Sequence, residues 1–288
     1  MSGLSQEQIS SYRSDGYLSP CDGVASQDVS RYRQKLSETE ARLGGPIMSL
    51  EGKYRHNMHL LCGWVDELAR TPAILDVIES LLGRNLVLYT SRMFIKEANT
   101  EGFAAWHQDS TYFALRPYDH VTAWVALSDV TKESGPLEFA KGSHIRGQLM
   151  QKSKMVEGSV NTAGQIIVEW FDKTQTDFGI LRPGQFSLHH TCCVHQSGPN
   201  RSNGPRIGIA LSYVSTRTQN VGSVRMPATL VRGEDQCGNF DMQPRPKVDF
   251  GAEETARHDA SHQLYLKNFY EQLDLHEAKL PEVLDLNV

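Results

Sequence analysis

Cysteine is scarce and follows no pairing pattern: Cys21, Cys62, Cys192, Cys193 and Cys237 are the five, with no CxxC among them. An odd count without that spacing excludes a disulfide framework or a zinc knuckle and fits reduced thiols. Positive charge is also short. With 29 Lys and Arg against 34 Asp and Glu, the formal net charge is -5. That excludes a general nucleic-acid binder, because phosphate binding needs a basic field. No apolar run approaches the roughly 20 residues that span a bilayer, so no membrane partner is expected. The start, "MSGLSQEQIS", lacks the regions of a signal peptide, which makes a cytoplasmic protein the expectation. The 23 glycines form no Walker or Rossmann pattern. There is no internal repeat, low-complexity tract or convincing linker, so one domain over residues 1–288 is the economical reading.

What is present divides by texture. "SQEQISSYRSDGY" has a Ser cap, and "SQDVSRYRQKLSETEARLG" ends at glycine, as helices do. "WVDELARTPAILDVIESLLG" places apolar residues at helical spacing up to Gly83 and reads as a further helix. These make a helical region over 5–83. Then come short runs rich in β-branched and aromatic residues at 85–98, 120–130, 137–144, 184–190 and 206–215, punctuated by Gly and Pro. That pattern predicts a mainly β antiparallel barrel or jelly roll over about 85–216, with flanking helices. The long polar segment 145–180 between two strands predicts a lid. The tail 217–288 contains "EETARHDASHQLYLKNFYEQL", one more amphipathic helix.

"WHQDSTYF" raises the chemical question. Side chains alternate along a strand, so His107 and Asp109 share one face while Trp106 and Gln108 take the other. His195 in "CCVHQSGPNRS" is the best third partner. Two histidines and a carboxylate on one face form the facial triad of non-heme Fe(II) oxygenases, which leaves open coordination positions. An isolated HxD is common by chance, and a lone core histidine is more often a hydrogen-bonded structural residue. Other histidine pairs compete: His258 and His262, at i,i+4, have a zinc-chelating spacing but read as a solvated helix face. His56 and His59 read as pocket-lining or structural.

Arg206 strengthens the metal reading. It opens "RIGIALSYV", and its same-face neighbours Gly208, Ala210 and Ser212 are small. A buried guanidinium with room beside it suits a planar carboxylate, bound through two parallel hydrogen bonds. On its own it would read as a surface arginine at a strand start. Beside HxD and a distal histidine it fits the far carboxylate of 2-oxoglutarate.

Together "WHQDSTYF", "VTAWVALSDVTKESGPLEFAKGSH" and "LRPGQFSLHHTCCVHQSGPNRSNGPRIGIALSYV" resemble the phytanoyl-CoA dioxygenase (PhyH) family of Fe(II)/2-oxoglutarate oxygenases, over roughly residues 55–215. The resemblance implies a double-stranded β-helix wrapped by helices. It implies His107, Asp109 and His195 as iron ligands and Arg206 with Ser197 as anchors of the cosubstrate. Trp124 and Phe113 match aromatic positions of the cosubstrate pocket. His59, Tyr112 and His190, with His189 nearby, are the expected substrate contacts. The implied reaction consumes O2 and 2-oxoglutarate, releases succinate and CO2, and hydroxylates a C–H bond of a small metabolite. Some relatives desaturate, epimerise or cyclise instead. Related halogenases carry a small residue where Asp109 stands here.

Two other classes compete. A cupin-like metal-dependent isomerase or lyase would leave Arg206 and Ser197 without a task. A non-catalytic binding module would not need the three metal-binding side chains.

Overall fold

The computed structural model describes residues 3–153, 158–159 and 165–277. The N-terminal part is helical. Helix α1 (Gln6–Asp15) starts at a capping box on Ser5 and stops at left-handed Gly16. Strand β1 (Tyr17–Asp22) follows, then α2 (Ser26–Leu43). The stretch read as one helix over 64–83 is two, α3 (Gly63–Ala69) and α4 (Pro72–Leu82). Pro72 lacks the N–H that a helix interior requires, so it can only open a new first turn.

Fourteen further strands and two α-helices follow among the described residues, with four short 3-10 helices along the chain. In order they are β2 (Leu86–Lys96), β3 (Ala104–His107), α5 (Ser110–Phe113), β4 (Leu115–Arg116), β5 (His120–Ala126) and β6 (Leu137–Ala140). Next come β7 (Gln151–Ser153), β8 (Gln165–Ile167), β9 (Thr176–Phe178), β10 (Gln185–His190) and β11 (His195–Ser197). The last are β12 (Arg206–Ser215), β13 (Gln219–Asn220), β14 (Pro227–Arg232), β15 (Asp241–Met242) and α6 (Ala252–Glu277). The expected strands are all present. Those read over 120–130 and 137–144 stop earlier, at Ala126 and Ala140.

A seven-stranded sheet runs β1-β10-β5-β12-β2-β14-β15, and a four-stranded sheet runs β3-β11-β6-β9. This is a jelly roll of two sheets with flanking helices, without closure into one barrel. The large sheet is covered on both faces. Ile207, Ile209, Leu211 and Tyr213 alternate with Arg206, Gly208, Ala210 and Ser212 along β12, and all are buried. The first set joins Val121, Val125, Phe186 and Leu188 in a core with Leu36, Trp64, Leu68 and Ile74 from the helices. The second set faces the space between the sheets. Because the side-chain period is two, this alternation decides which residues reach that space.

The segment 145–180 is only partly a loop. Its β7 and β8 pair with each other, β9 joins β6, and Phe171 packs edge-on against Trp106 at 5.4 Å. Residues 154–157 and 160–164 of this expected lid lie outside the described residues. Among the described residues, no helix is long and apolar enough to cross a membrane.

Candidate active site

A cavity between the two sheets gathers most of the singled-out residues. The large sheet lends Thr90, Arg92, Phe94 and Lys96 from β2, Thr122 and Trp124 from β5, and Arg206, Ala210 and Ser212 from β12. The small sheet lends His107, Leu137, His195 and Ser197, and α6 lends Tyr265 and Phe269. The empty space, open mouth included, is about 920 Å³.

His107 and His195 are paired residues of β3 and β11, with ring centroids 4.2 Å apart. Asp109 is placed differently from the expectation of one continuous strand. The strand ends at His107, and Asp109 has helical dihedrals ahead of α5. Gln108 makes the break: its side chain is buried and donates to the carbonyls of Cys192 (2.6 Å) and Gly147 (3.0 Å), while its amide oxygen accepts from Leu149 N. Asp109 is thereby swung back toward the histidines. Its Oδ1 lies 3.9 Å from both His107 Nε2 and His195 Nε2.

The three side chains offer ligand atoms within 4.8 Å of one another. Each histidine directs Nδ1 at a backbone carbonyl, Ala105 O at 2.7 Å and Cys193 O at 2.9 Å. An Nδ1–H donated there leaves Nε2 with its lone pair toward Asp109, the tautomer a metal ligand needs. Burial lowers the pKa of both rings, so the neutral, ligating form prevails. Burial alone would raise the pKa of Asp109. The His189 hydrogen bond and the nearby imidazoles outweigh it and hold the carboxylate well below its ordinary range. The donor set therefore fits a divalent metal with positions left open.

At the far end, Arg206 is buried and donates from Nη1 to Gly135 O (3.0 Å) and Ser197 Oγ (3.3 Å). Its Nε has no hydrogen-bond partner among the described residues. Burial pushes its pKa down to about 9. A buried charge costs several kcal/mol, roughly, unless an anion accompanies it, so a carboxylate fits here. The room expected beside Gly208 is filled: its missing Cβ would sit 1.9 Å from the Trp124 ring, and that indole stacks with Arg206 at 4.9 Å.

Sequence reasoning missed Lys96. It pairs with Arg206 across β2 and β12 and donates from Nζ to Ser197 Oγ at 2.7 Å. Its pKa is pushed down to about 6, by burial and then by Arg206. Nothing in "MFIKEA" distinguishes it from a solvated strand end; only the strand pairing does. Also missed were Arg92, Tyr265 and Phe269.

The expected substrate contacts divide. Tyr112 lines the cavity and stacks on Phe269 at 4.5 Å. Phe113 lines it too. His59 lies elsewhere: it is buried with Nδ1 2.8 Å from Ser91 Oγ. Ser91 alternates with Arg92, so it faces the helices rather than the cavity. His190 is also away from the cavity. It accepts from Cys192 N (3.1 Å) and its ring lies 5.3 Å from His144. The preceding residue, His189, lines the cavity instead. His258, read as solvent-facing, is buried and its Nε2 lies 2.9 Å from His56 O.

Fold and site together define a class, the non-heme Fe(II), 2-oxoglutarate-dependent oxygenases. The sequence model of phytanoyl-CoA dioxygenase (PhyH) matches residues 12–208. A probable phytanoyl-CoA dioxygenase of Caenorhabditis elegans is 26% identical over 236 residues, 74% of this chain and 76% of that one. An L-proline trans-4-hydroxylase of Streptomyces griseoviridis is 25% identical, over 77% of this chain and 90% of that one. Among solved structures, the apo form of the non-heme monooxygenase ThoJ superposes with a TM-score of 0.82 at 28% identity, covering 93% of this chain and 99% of that one. The chain belongs to the phytanoyl-CoA dioxygenase (PhyH) family. It is an oxidoreductase of the non-heme iron dioxygenase type, with Fe(II) as cofactor and 2-oxoglutarate and O2 as cosubstrates.

Proposed function

We propose that His107, Asp109 and His195 hold Fe(II), and that Arg206, Ser197 and Lys96 hold the distal carboxylate of 2-oxoglutarate. Trp124 and Phe113 wall the cosubstrate, and a small metabolite occupies the rest of the cavity. The enzyme hydroxylates a C–H bond of that metabolite and releases succinate and CO2. The observation that carries this reading is the placement of three converging ligand atoms and a buried arginine in one cavity. A cupin-like isomerase or lyase gives no reason for that arginine.

Iron with 2-oxoglutarate and oxygen supplies the oxidising power. The protein's own part is binding, orientation and exclusion of water. Arg206 and Lys96 orient the cosubstrate from its far end. His189 and Thr122 fix the Asp109 carboxylate, with Oγ1 and Nε2 each 3.2 Å from Oδ2. Aromatic side chains line the remaining space together with Arg92 and Thr90. The Streptomyces relative is named for hydroxylating an amino acid, which supports a small-molecule substrate. Five free cysteines support a cytoplasmic location.

The test is anaerobic loading with Fe(II) and 2-oxoglutarate, exposure to O2, and measurement of succinate. Wild type should form succinate in an iron-dependent way, and Asp109→Ala should not. Succinate formation that is indifferent to Asp109 would overturn the reading.

A further inference from the structure

Trp106, Gln108 and Val194 each stand one residue before a ligating side chain, His107, Asp109 or His195. None of the three lines the cavity between the sheets. All three meet one further part of the chain on the other side. Gln108 donates from Nε2 to Gly147 O at 3.0 Å and accepts at Oε1 from Leu149 N at 2.8 Å. Val194 donates its N–H to Ser143 Oγ at 2.8 Å, and that hydroxyl donates in turn to Ala140 O at 2.7 Å. Trp106 packs edge-on against Phe171 and shares an apolar cluster with Leu149, Phe171 and Val194. Residues 143–149 and Phe171 thus form a layer behind the ligands, on the face away from the cavity.

Gln108 and Leu149 are buried, so bulk water does not replace a lost partner there. Gln108 Nε2 also donates to Cys192 O at 2.6 Å, on the approach to His195. One side-chain amide therefore joins three segments: the residue before Asp109, the start of the 145–180 segment, and the chain leading to His195. Asp109 has helical dihedrals just beyond the end of β3, outside the strand ladder. What holds it in place is the anchorage of the residue before it. Ligand atoms must reach a metal to within roughly a few tenths of an ångström, so a loosened anchor is felt in metal affinity.

Resting on the assignment of His107, Asp109 and His195 as metal ligands, we infer that Gln108 is a positioning residue that, with Val194, couples the docking of residues 143–149 to metal binding. Docking of that stretch fixes the backbone ahead of Asp109 and His195. Metal binding holds the same backbone still and so favours the docked stretch. The two effects are equal in size, because a coupling between two equilibria is reciprocal. The start of the 145–180 segment thereby has a task at the back of the metal site.

The test uses Zn(II) as the metal, with affinity read by chelator competition and amide exchange of Leu149 read at residue level. In wild type, Zn(II) should slow exchange at Leu149 N by about tenfold or more. Gln108→Met keeps the length of the side chain and removes its amide; it should weaken Zn(II) binding by about tenfold. Ser143→Ala, which removes the bond to Val194, should weaken it by a smaller factor. A purely structural role for Gln108 would lower the melting temperature and leave the Zn(II) affinity of the folded protein unchanged. Leu149 exchange that ignores Zn(II) in wild type, or full affinity in Gln108→Met, overturns the coupling. Should that variant not fold, full affinity in Ser143→Ala overturns it. Failure of wild type to bind Zn(II) at all would instead overturn the ligand assignment.

Discussion

His189 Nε2 lies 3.2 Å from Asp109 Oδ2, on the carboxylate oxygen opposite the one that His107 and His195 share. Thr122 Oγ1 reaches the same Oδ2 at 3.2 Å. One oxygen is thus committed to orientation, and the other is left to face the two imidazoles. Partners of this kind are typically worth 10–100-fold in metal affinity, roughly. His189→Ala should weaken metal binding by about that factor, read by competition against a chelator of known affinity. Unchanged affinity would show that Thr122 alone orients the carboxylate.

Arg206→Ala should weaken 2-oxoglutarate binding far more than metal binding. A hydrogen bond to a charged group contributes about 1.5–3 kcal/mol, so a loss of roughly 10–150-fold is expected. Arg206→Lys keeps the charge but loses the planar fork and should fall between. Titration of the Mn(II)-loaded variants with 2-oxoglutarate measures this. Equal loss of metal and cosubstrate affinity would point to damage of the fold instead.

Lys96 gives cosubstrate binding a pH dependence. Its pKa in the free protein is pushed down to about 6, by burial first and then by Arg206. A bound carboxylate favours the ammonium form and raises that pKa again. Above pH about 6, binding should therefore take up a proton, and affinity should fall as pH rises toward the bound-state pKa. Calorimetry in buffers of different ionisation enthalpy counts the proton. Lys96→Met should remove the uptake, and release of protons by wild type would contradict the assignment.

Gly208 and Trp124 form a close pair with no slack. A Cβ at position 208 would lie 1.9 Å from the indole. Gly208→Ala should displace Trp124 from its place over Arg206. Overpacking of this kind typically costs about 1–3 kcal/mol. Thermal denaturation should show the loss, and 2-oxoglutarate titration should show weaker binding beyond it. A variant as stable and as avid as wild type would mean that the ring has another position to occupy.

The local signals were legible because they depend on short range. Ser5 with Gln8 marks a helix start, Gly16 and Gly44 mark helix ends, and HxD marks a pair of side chains. The jelly roll was legible from strand texture and spacing. Pro72 was in plain view, yet its break was overlooked because the apolar period continues through it. His190 was preferred to His189 although the two differ by one alternation. In β10, residues 187 and 189 pair with Trp124 and Thr122, both inward-facing, so His189 goes in and His190 goes out. The phase of a strand is set by its neighbours, which a single sequence does not display.

By itself the sequence determined the element types, the ligand chemistry and the family, since these reside in residue identity and short spacings. The tertiary structure decided which residues meet. It paired His195 with His107, and Arg206 with Lys96, through strand registers that join segments about a hundred residues apart. It turned Asp109 off its strand through the buried bonds of Gln108. It also brought Tyr265 and Phe269 of the last helix into the cavity. Those outcomes follow from pairing registers and helix docking, which minimise buried polar loss and exposed apolar area over the whole chain at once.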